Sequence, residues 1–74
     1  MPPTIPALKG RDVVRIFASF GWRVARQNGS HIIMVKEGEI PTLSIPDHRE
    51  VAKGTLRSLI RMAGLTVAEF LAAM

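Results

Sequence analysis

Cysteine is absent from the 74 residues, and tyrosine with it. The first absence removes disulfide frameworks, thiolate metal sites and cysteine nucleophiles together, and it fits a reducing, cytoplasmic setting. Aromatic residues are few, one tryptophan and three phenylalanines, which speaks against an aromatic platform for splayed bases. No apolar run nears the ~20 residues that span a bilayer; Ile32-Ile33-Met34-Val35 falls far short. A membrane is therefore not an expected partner. Met1 to Pro6 has neither a charged n-region nor an apolar h-region, so no secretory signal is expected there. The two histidines lie far apart and the acidic residues are scattered over turns, without the i, i+4 ligand spacing of zinc helices, so no metal is expected. A chain this short leaves no room for a cofactor domain beside another, and no cofactor is expected.

Hydrophobic residues make up 47%, enough for a real core, and ten Lys and Arg against six Asp and Glu give a net charge of +4. On so small a body that excess favours a polyanionic partner such as nucleic acid, although solubility alone also accounts for it. Residues 1–8 carry three prolines and read as an extended, weakly held arm; residues 9–74 read as a single domain. Val13, Ile16, Phe17 and Phe20 recur at i, i+3, i+4 and i+7 after Gly10, which predicts a helix that Gly21 stops. Trp22, Val24 and Arg26 then alternate with Arg23, Ala25 and Gln27, as on a partly buried strand. Asn28-Gly29 suits the central positions of a type I′ hairpin turn. Ser30 to Lys36 reads as the second arm, and Thr42 to Ile45 as a third strand ended by Pro46. A second helix is expected from Gly54 or Thr55, with Leu56, Leu59, Ile60 and Ala63 on one face and Gly64 as its stop. Thr66 and Glu69 have the spacing of a capping box before a short last helix. Helices segregated to one face of an antiparallel meander make an α+β sandwich.

His31 follows Gly29 and Ser30 directly after the tight turn, at the mouth of a strand. An imidazole exchanges protons near neutrality, which suits general acid–base work. Equally, alternation puts His31 in phase with Ile33 and Val35, as a satisfied residue at the edge of the core. His48 lies in the loop Pro46-Asp47-His48-Arg49-Glu50 and is the only other histidine, hence the only candidate imidazole for a second proton transfer. The bland alternative is a loop residue bonded to a neighbouring carbonyl. Lys53, Arg57 and Arg61 recur every four residues, opposite Leu56 and Ile60. With the Thr55 hydroxyl and free N–H groups at the helix start they would seat phosphates, or simply form a solvated face. Arg23 and Arg26 add charge from the first strand. The second strand is apolar on both sides, and helices cover only one side of a two-layer domain. A partner surface is the favoured use of the other side, and a homodimer is compatible with so small a core.

Gly29-Ser30-His31 after a strand, Ile45-Pro46-Asp47-His48, and Gly54-Thr55-Leu56-Arg57-Ser58-Leu59-Ile60-Arg61-Met62-Ala63-Gly64-Leu65, in this order, closely resemble the HicA (YcfA-like) toxin family. The likeness runs from about Leu8 to the C-terminus, and only the proline-rich arm departs from the pattern. It implies a double-stranded-RNA-binding-like α-β-β-β-α two-layer sandwich, here with a short extra C-terminal helix. It further implies an mRNA interferase of a type II toxin–antitoxin system, neutralised by a HicB-like antitoxin. The family's essential histidine maps onto His31, with Gly29 as its turn glycine; His48 matches a less securely assigned position.

On that resemblance the expected activity is metal-independent endoribonuclease cleavage, with His31 activating the RNA 2′-hydroxyl and His48 as candidate second acid or base. Gly29, Ser30, Arg23, Arg26, Lys53, Thr55, Arg57 and Arg61 are the expected RNA contacts. The competing expectations are a noncatalytic double-stranded RNA binder, which needs the basic helix start but no histidine, and an inactive protein-docking module.

Overall fold

Val13, Ile16 and Phe17 are buried along one side of α1 (Gly10–Ala18), as their spacing requires. The chain then forms β1 (Arg23–Asn28), β2 (His31–Val35) and β3 (Leu43–Pro46), followed by α2 (Lys53–Met62) and α3 (Val67–Ala72). This computed structural model describes residues 4–74. The sheet is an antiparallel meander in the order β1-β2-β3. Leu56, Leu59 and Ile60 of α2 and Phe70 of α3 join the α1 residues in one core with Ile32, Met34, Leu43 and Ile45 of the sheet. The result is the expected α+β order of helix, three strands and helix, with the short extra helix at the end.

Both long helices end as expected, at glycines with positive φ. Gly21 N–H donates to the Ala18 carbonyl and Trp22 N–H to that of Phe17; Gly64 and Leu65 do the same to Arg61 and Ile60. These paired bonds are Schellman motifs, which satisfy carbonyls that a helix end leaves open. The expected capping box also forms: Glu69 N–H donates to Thr66 Oγ1 (3.1 Å) and Thr66 N–H to Glu69 Oε1 (2.8 Å). α2 starts at Lys53, one residue before the expected Gly54, with no side-chain bond from its N-cap Ala52.

Three expectations need correction. The stretch before α1 has no helix or strand over residues 4–9, yet Ile5 is fully buried and Leu8 nearly so. Val51 N–H donates to the Leu8 carbonyl at 2.8 Å. Apolar side chains thus anchor this segment despite its proline, so it is not a weakly held arm; residues 1–3 of that arm lie outside the described residues. Second, β1 is exposed at every residue rather than partly buried, because the core residues of the sheet all come from β2 and β3 and leave β1 outside the helix-covered part. Third, the hairpin turn is displaced by one residue. Asn28 pairs with His31, leaving Gly29 and Ser30 as the two central residues. Only Gly29 has positive φ, at 63°. Positive φ at the first central position alone is the type II′ pattern, not type I′, and glycine is the residue it favours.

Candidate active site

Strand register decides which side chains share a face with His31. Directly opposed residues of an antiparallel pair point to the same side. Ile32, Met34, Leu43 and Ile45 are buried against the helices, so their neighbours His31, Ile33, Val35, Ser44 and Pro46 lie on the other side of the sheet. His31 is exposed there, at the first position of β2, while Ile33 and Val35 are half-buried. The view of His31 as a residue in phase with Ile33 and Val35 is right about its face. That face carries no helix, so the ring is open to solvent rather than sealed in aliphatics.

On β1 the pairing breaks its rhythm. Arg23 opposes Val35 and Val24 opposes Met34, but Arg26 opposes Ile33, with an irregularity between Val24 and Arg26. Ala25 is the extra residue of a β-bulge, two residues facing one. Simple alternation would put Arg23 and Arg26 on opposite faces. The bulge instead puts both on the outer face, in a row with Asn28, beside the β2 row of His31, Ile33 and Val35. Two guanidiniums and the imidazole therefore share one surface.

The imidazole has a specific neighbour. Ser44 Oγ lies 3.3 Å from His31 Nδ1. Ser44 opposes Ile33 in the ladder and is thus diagonal to His31.

The turn before His31 is tied to the loop after β3. Asp47 N–H donates to the Ser30 carbonyl at 2.7 Å. Gln27 Nε2 donates to Asp47 Oδ2 and to the Gly29 carbonyl, each at 3.2 Å. Arg11 completes the cluster through a 3.5 Å ion pair with Asp47. Beside it, Lys9, Arg11, Asp47, His48 and Arg49 line a shallow groove. Gly10 N–H donates to the His48 carbonyl at 2.9 Å, which fixes that loop on the start of α1. His48 is exposed, two residues beyond Pro46, the ladder partner of His31. Both histidines belong to the same end of the sheet.

The structure thus groups Gly29, Ser30 and His31 with Arg23 and Arg26. Lys53, Thr55, Arg57 and Arg61 are all exposed on α2, in the helix layer. Arg57 and Arg61 border a groove with Ile60, Leu65 and Val67, between α2 and the start of α3. They are not on the sheet face that presents His31. Four residues of the cluster escaped the sequence reading: Gln27, Asp47, Ser44 and Arg11. Asp47 lies within the Ile45-Pro46-Asp47-His48 motif without a role assigned to it, and Gln27, Ser44 and Arg11 carry no local mark, since each owes its place to strand register or to a loop contact. Trp22 is buried, with its Nε1 lacking a partner, as are Phe17 and Phe70. None of these three rings can stack on a base, as their scarcity and spacing suggested.

Comparison with known proteins places this geometry. Residues 10–65 match the family described as HicA toxin of bacterial toxin–antitoxin systems. A chain in the solved "Toxin-Antitoxin complex from Streptococcus pneumoniae" is similar at 36% identity and a TM-score of 0.67, over 74% of this chain and 93% of that one. No curated protein gives a significant match. Fold and matches together define a small α+β toxin of a toxin–antitoxin system. Within that class, the chain belongs to the HicA toxin family.

Proposed function

We propose that this chain is an endoribonuclease toxin that cleaves mRNA without a metal ion, using His31 as general base. The observation that carries this is the placement of an exposed imidazole on the open sheet face, in company with Arg23 and Arg26. Nε2 of His31 takes the proton of a ribose 2′-hydroxyl as that oxygen attacks the adjacent phosphorus. The bond from phosphorus to the 5′-oxygen breaks, and that oxygen takes a proton from His48. The products are a 2′,3′-cyclic phosphate and a 5′-hydroxyl end. RNA is the substrate because DNA lacks the internal nucleophile. Arg26 and Arg23 offset the charge that builds on the phosphoryl oxygens, where a preorganised cation acts most strongly. Gly29 and Ser30 form the edge of the site, and Lys53 and Thr55 at the start of α2, with Arg57 and Arg61 further along it, hold more distant phosphates where the strand runs beyond the sheet face onto the helix layer. Proton transfers are assigned to side chains alone.

Control of such an activity calls for an inhibitor. The similar chain was solved in a toxin–antitoxin complex, which supports a HicB-like antitoxin as partner here. Its docking on the open sheet face would cover His31 and both arginines at once.

The test is incubation of purified protein with a defined single-stranded RNA, with and without chelator, followed by end-group analysis. Cleavage that survives EDTA and leaves a 2′,3′-cyclic phosphate is the expected result. His31→Ala should lower the rate by about 10²- to 10⁴-fold, the usual contribution of a positioned base, while keeping its circular dichroism spectrum. An alanine variant that cuts normally would remove His31 from the mechanism. RNA bound but never cut by either protein would favour the noncatalytic binder.

A further inference from the structure

A general base needs its working nitrogen free of a proton and aimed at the substrate. His31 alone secures neither, because an exposed ring on a strand end can rotate and can carry its proton on either nitrogen. The only side-chain hydrogen bond to this ring among the described residues is the one between Ser44 Oγ and Nδ1, at 3.3 Å. Ser44 sits on β3, whose ladder pairs run from His31↔Pro46 to Met34↔Leu43. Its backbone is therefore fixed relative to that of His31, and the hydroxyl is a rigidly mounted neighbour rather than a loop group. Because Nδ1 faces Ser44, Nε2 is the ring nitrogen left to meet a ligand.

From this geometry we propose that Ser44 is the positioning residue of His31: its hydroxyl oxygen accepts a hydrogen bond from Nδ1–H, which selects, in the neutral ring, the tautomer whose Nε2 lone pair is free and presents that nitrogen to the 2′-hydroxyl. This rests on the nuclease function proposed above. The alternative polarity fails on chemical grounds. A hydroxyl that donated to Nδ1 would leave the proton on Nε2, and that nitrogen could then take none from ribose. With Nδ1–H donating, the same bond persists before and after proton transfer. It also strengthens as the ring becomes cationic, since a charged donor makes the stronger bond. Stabilisation that grows along the reaction coordinate accelerates the step rather than merely tightening binding.

The experiment uses the full chain and its Ser44→Ala and Ser44→Thr variants. Histidine ¹⁵N shifts in the neutral ring report the tautomer without any RNA present. The wild-type ring is expected to carry its proton on Nδ1. Ser44→Ala should return it to the Nε2–H form that an unconstrained histidine side chain favours in water, and Ser44→Thr should restore the wild-type pattern. In cleavage assays Ser44→Ala should lower kcat by about 3- to 10-fold, the equivalent of one neutral hydrogen bond, with KM unchanged and activity recovered in Ser44→Thr. A wild-type ring protonated on Nε2, or a tautomer indifferent to Ser44→Ala, overturns the proposal. Absence of any RNA cleavage by wild type would instead count against the nuclease function, since the tautomer measurement is independent of substrate.

Discussion

Asp47 does at the residue scale what no single strand could do. It receives Gln27 from β1 and Arg11 from α1 on its carboxylate, while its N–H holds the Ser30 carbonyl. Three separately folded segments thus meet immediately before His31. All of these side chains are at least partly exposed, so their contribution to stability is small: removing such a surface partner costs about 0.2–1 kcal/mol. Their effect on geometry is larger, because misplacing a reacting group by a fraction of its contact distance is costly to rate. Asp47→Ala is therefore expected to lower RNA cleavage by about tenfold with little change in the urea midpoint. Measuring both on one preparation checks this; a normal rate would show that the turn holds its shape without the carboxylate. The sequence could not reveal this role, since Asp47 reads as an ordinary turn former beside a proline. His31 stands out in the sequence through the Gly29-Ser30-His31 motif of the family resemblance, since its position after a turn leaves a packed residue at the core's edge equally open; the structure adds that the ring is exposed.

Among the elements, β1 shows where pattern reading stops. Alternation in Trp22 to Gln27 looks regular, and it separates Arg23 from Arg26. The bulge at Ala25 joins them on one face, and a bulge has no sequence mark unless a glycine supplies it. The C-terminal ends of α1 and α2 are better marked, since a period of 3.6 and a glycine stop agree there, whereas the start of α2 has no capping side chain to announce it. The electrostatic consequence is measurable. Each phosphate contact to a single strand contributes about 0.7 to the slope of log affinity against log salt. Arg23→Ala and Arg26→Ala should each reduce that slope by about 0.7, whereas Arg15→Ala on α1 should leave it unchanged. Equal slopes for all four proteins would mean that RNA avoids the sheet face. The start of α1 offers a second test. A Cβ on Gly10 would overlap the Pro46 carbonyl oxygen and lie 3.0 Å from Asp47 Cα, both backbone atoms that cannot yield alone. Gly10→Ala should cost about 1–3 kcal/mol, the range for overpacking, read as a lower urea midpoint.

For the molecule as a whole, the family match and the folding unit are different lengths of chain. The match covers residues 10–65, yet Ile5 before it and Phe70 after it are each fully buried in the same core as α1 and the sheet. Phe70 also meets Phe17 of α1 with ring centroids 5.1 Å apart and planes tilted by 58°, a geometry worth about 0.5–1.5 kcal/mol beyond area burial. Sequence periodicity found the last helix through its capping box. It missed Ile5, because a proline-rich stretch has no period to read. A domain of this size has a net stability of about 4–11 kcal/mol, and truncating one buried phenylalanine to alanine costs about 3–5. Phe70→Ala should consequently remove a large share of the total, and a chain trimmed to residues 10–65 loses both anchors together. That trimmed chain is expected to show no cooperative thermal transition, while the full chain shows one. A sharp transition in the trimmed chain would mean that Phe17 and its neighbours can close over the gap unaided, and that the flanking segments merely decorate the fold.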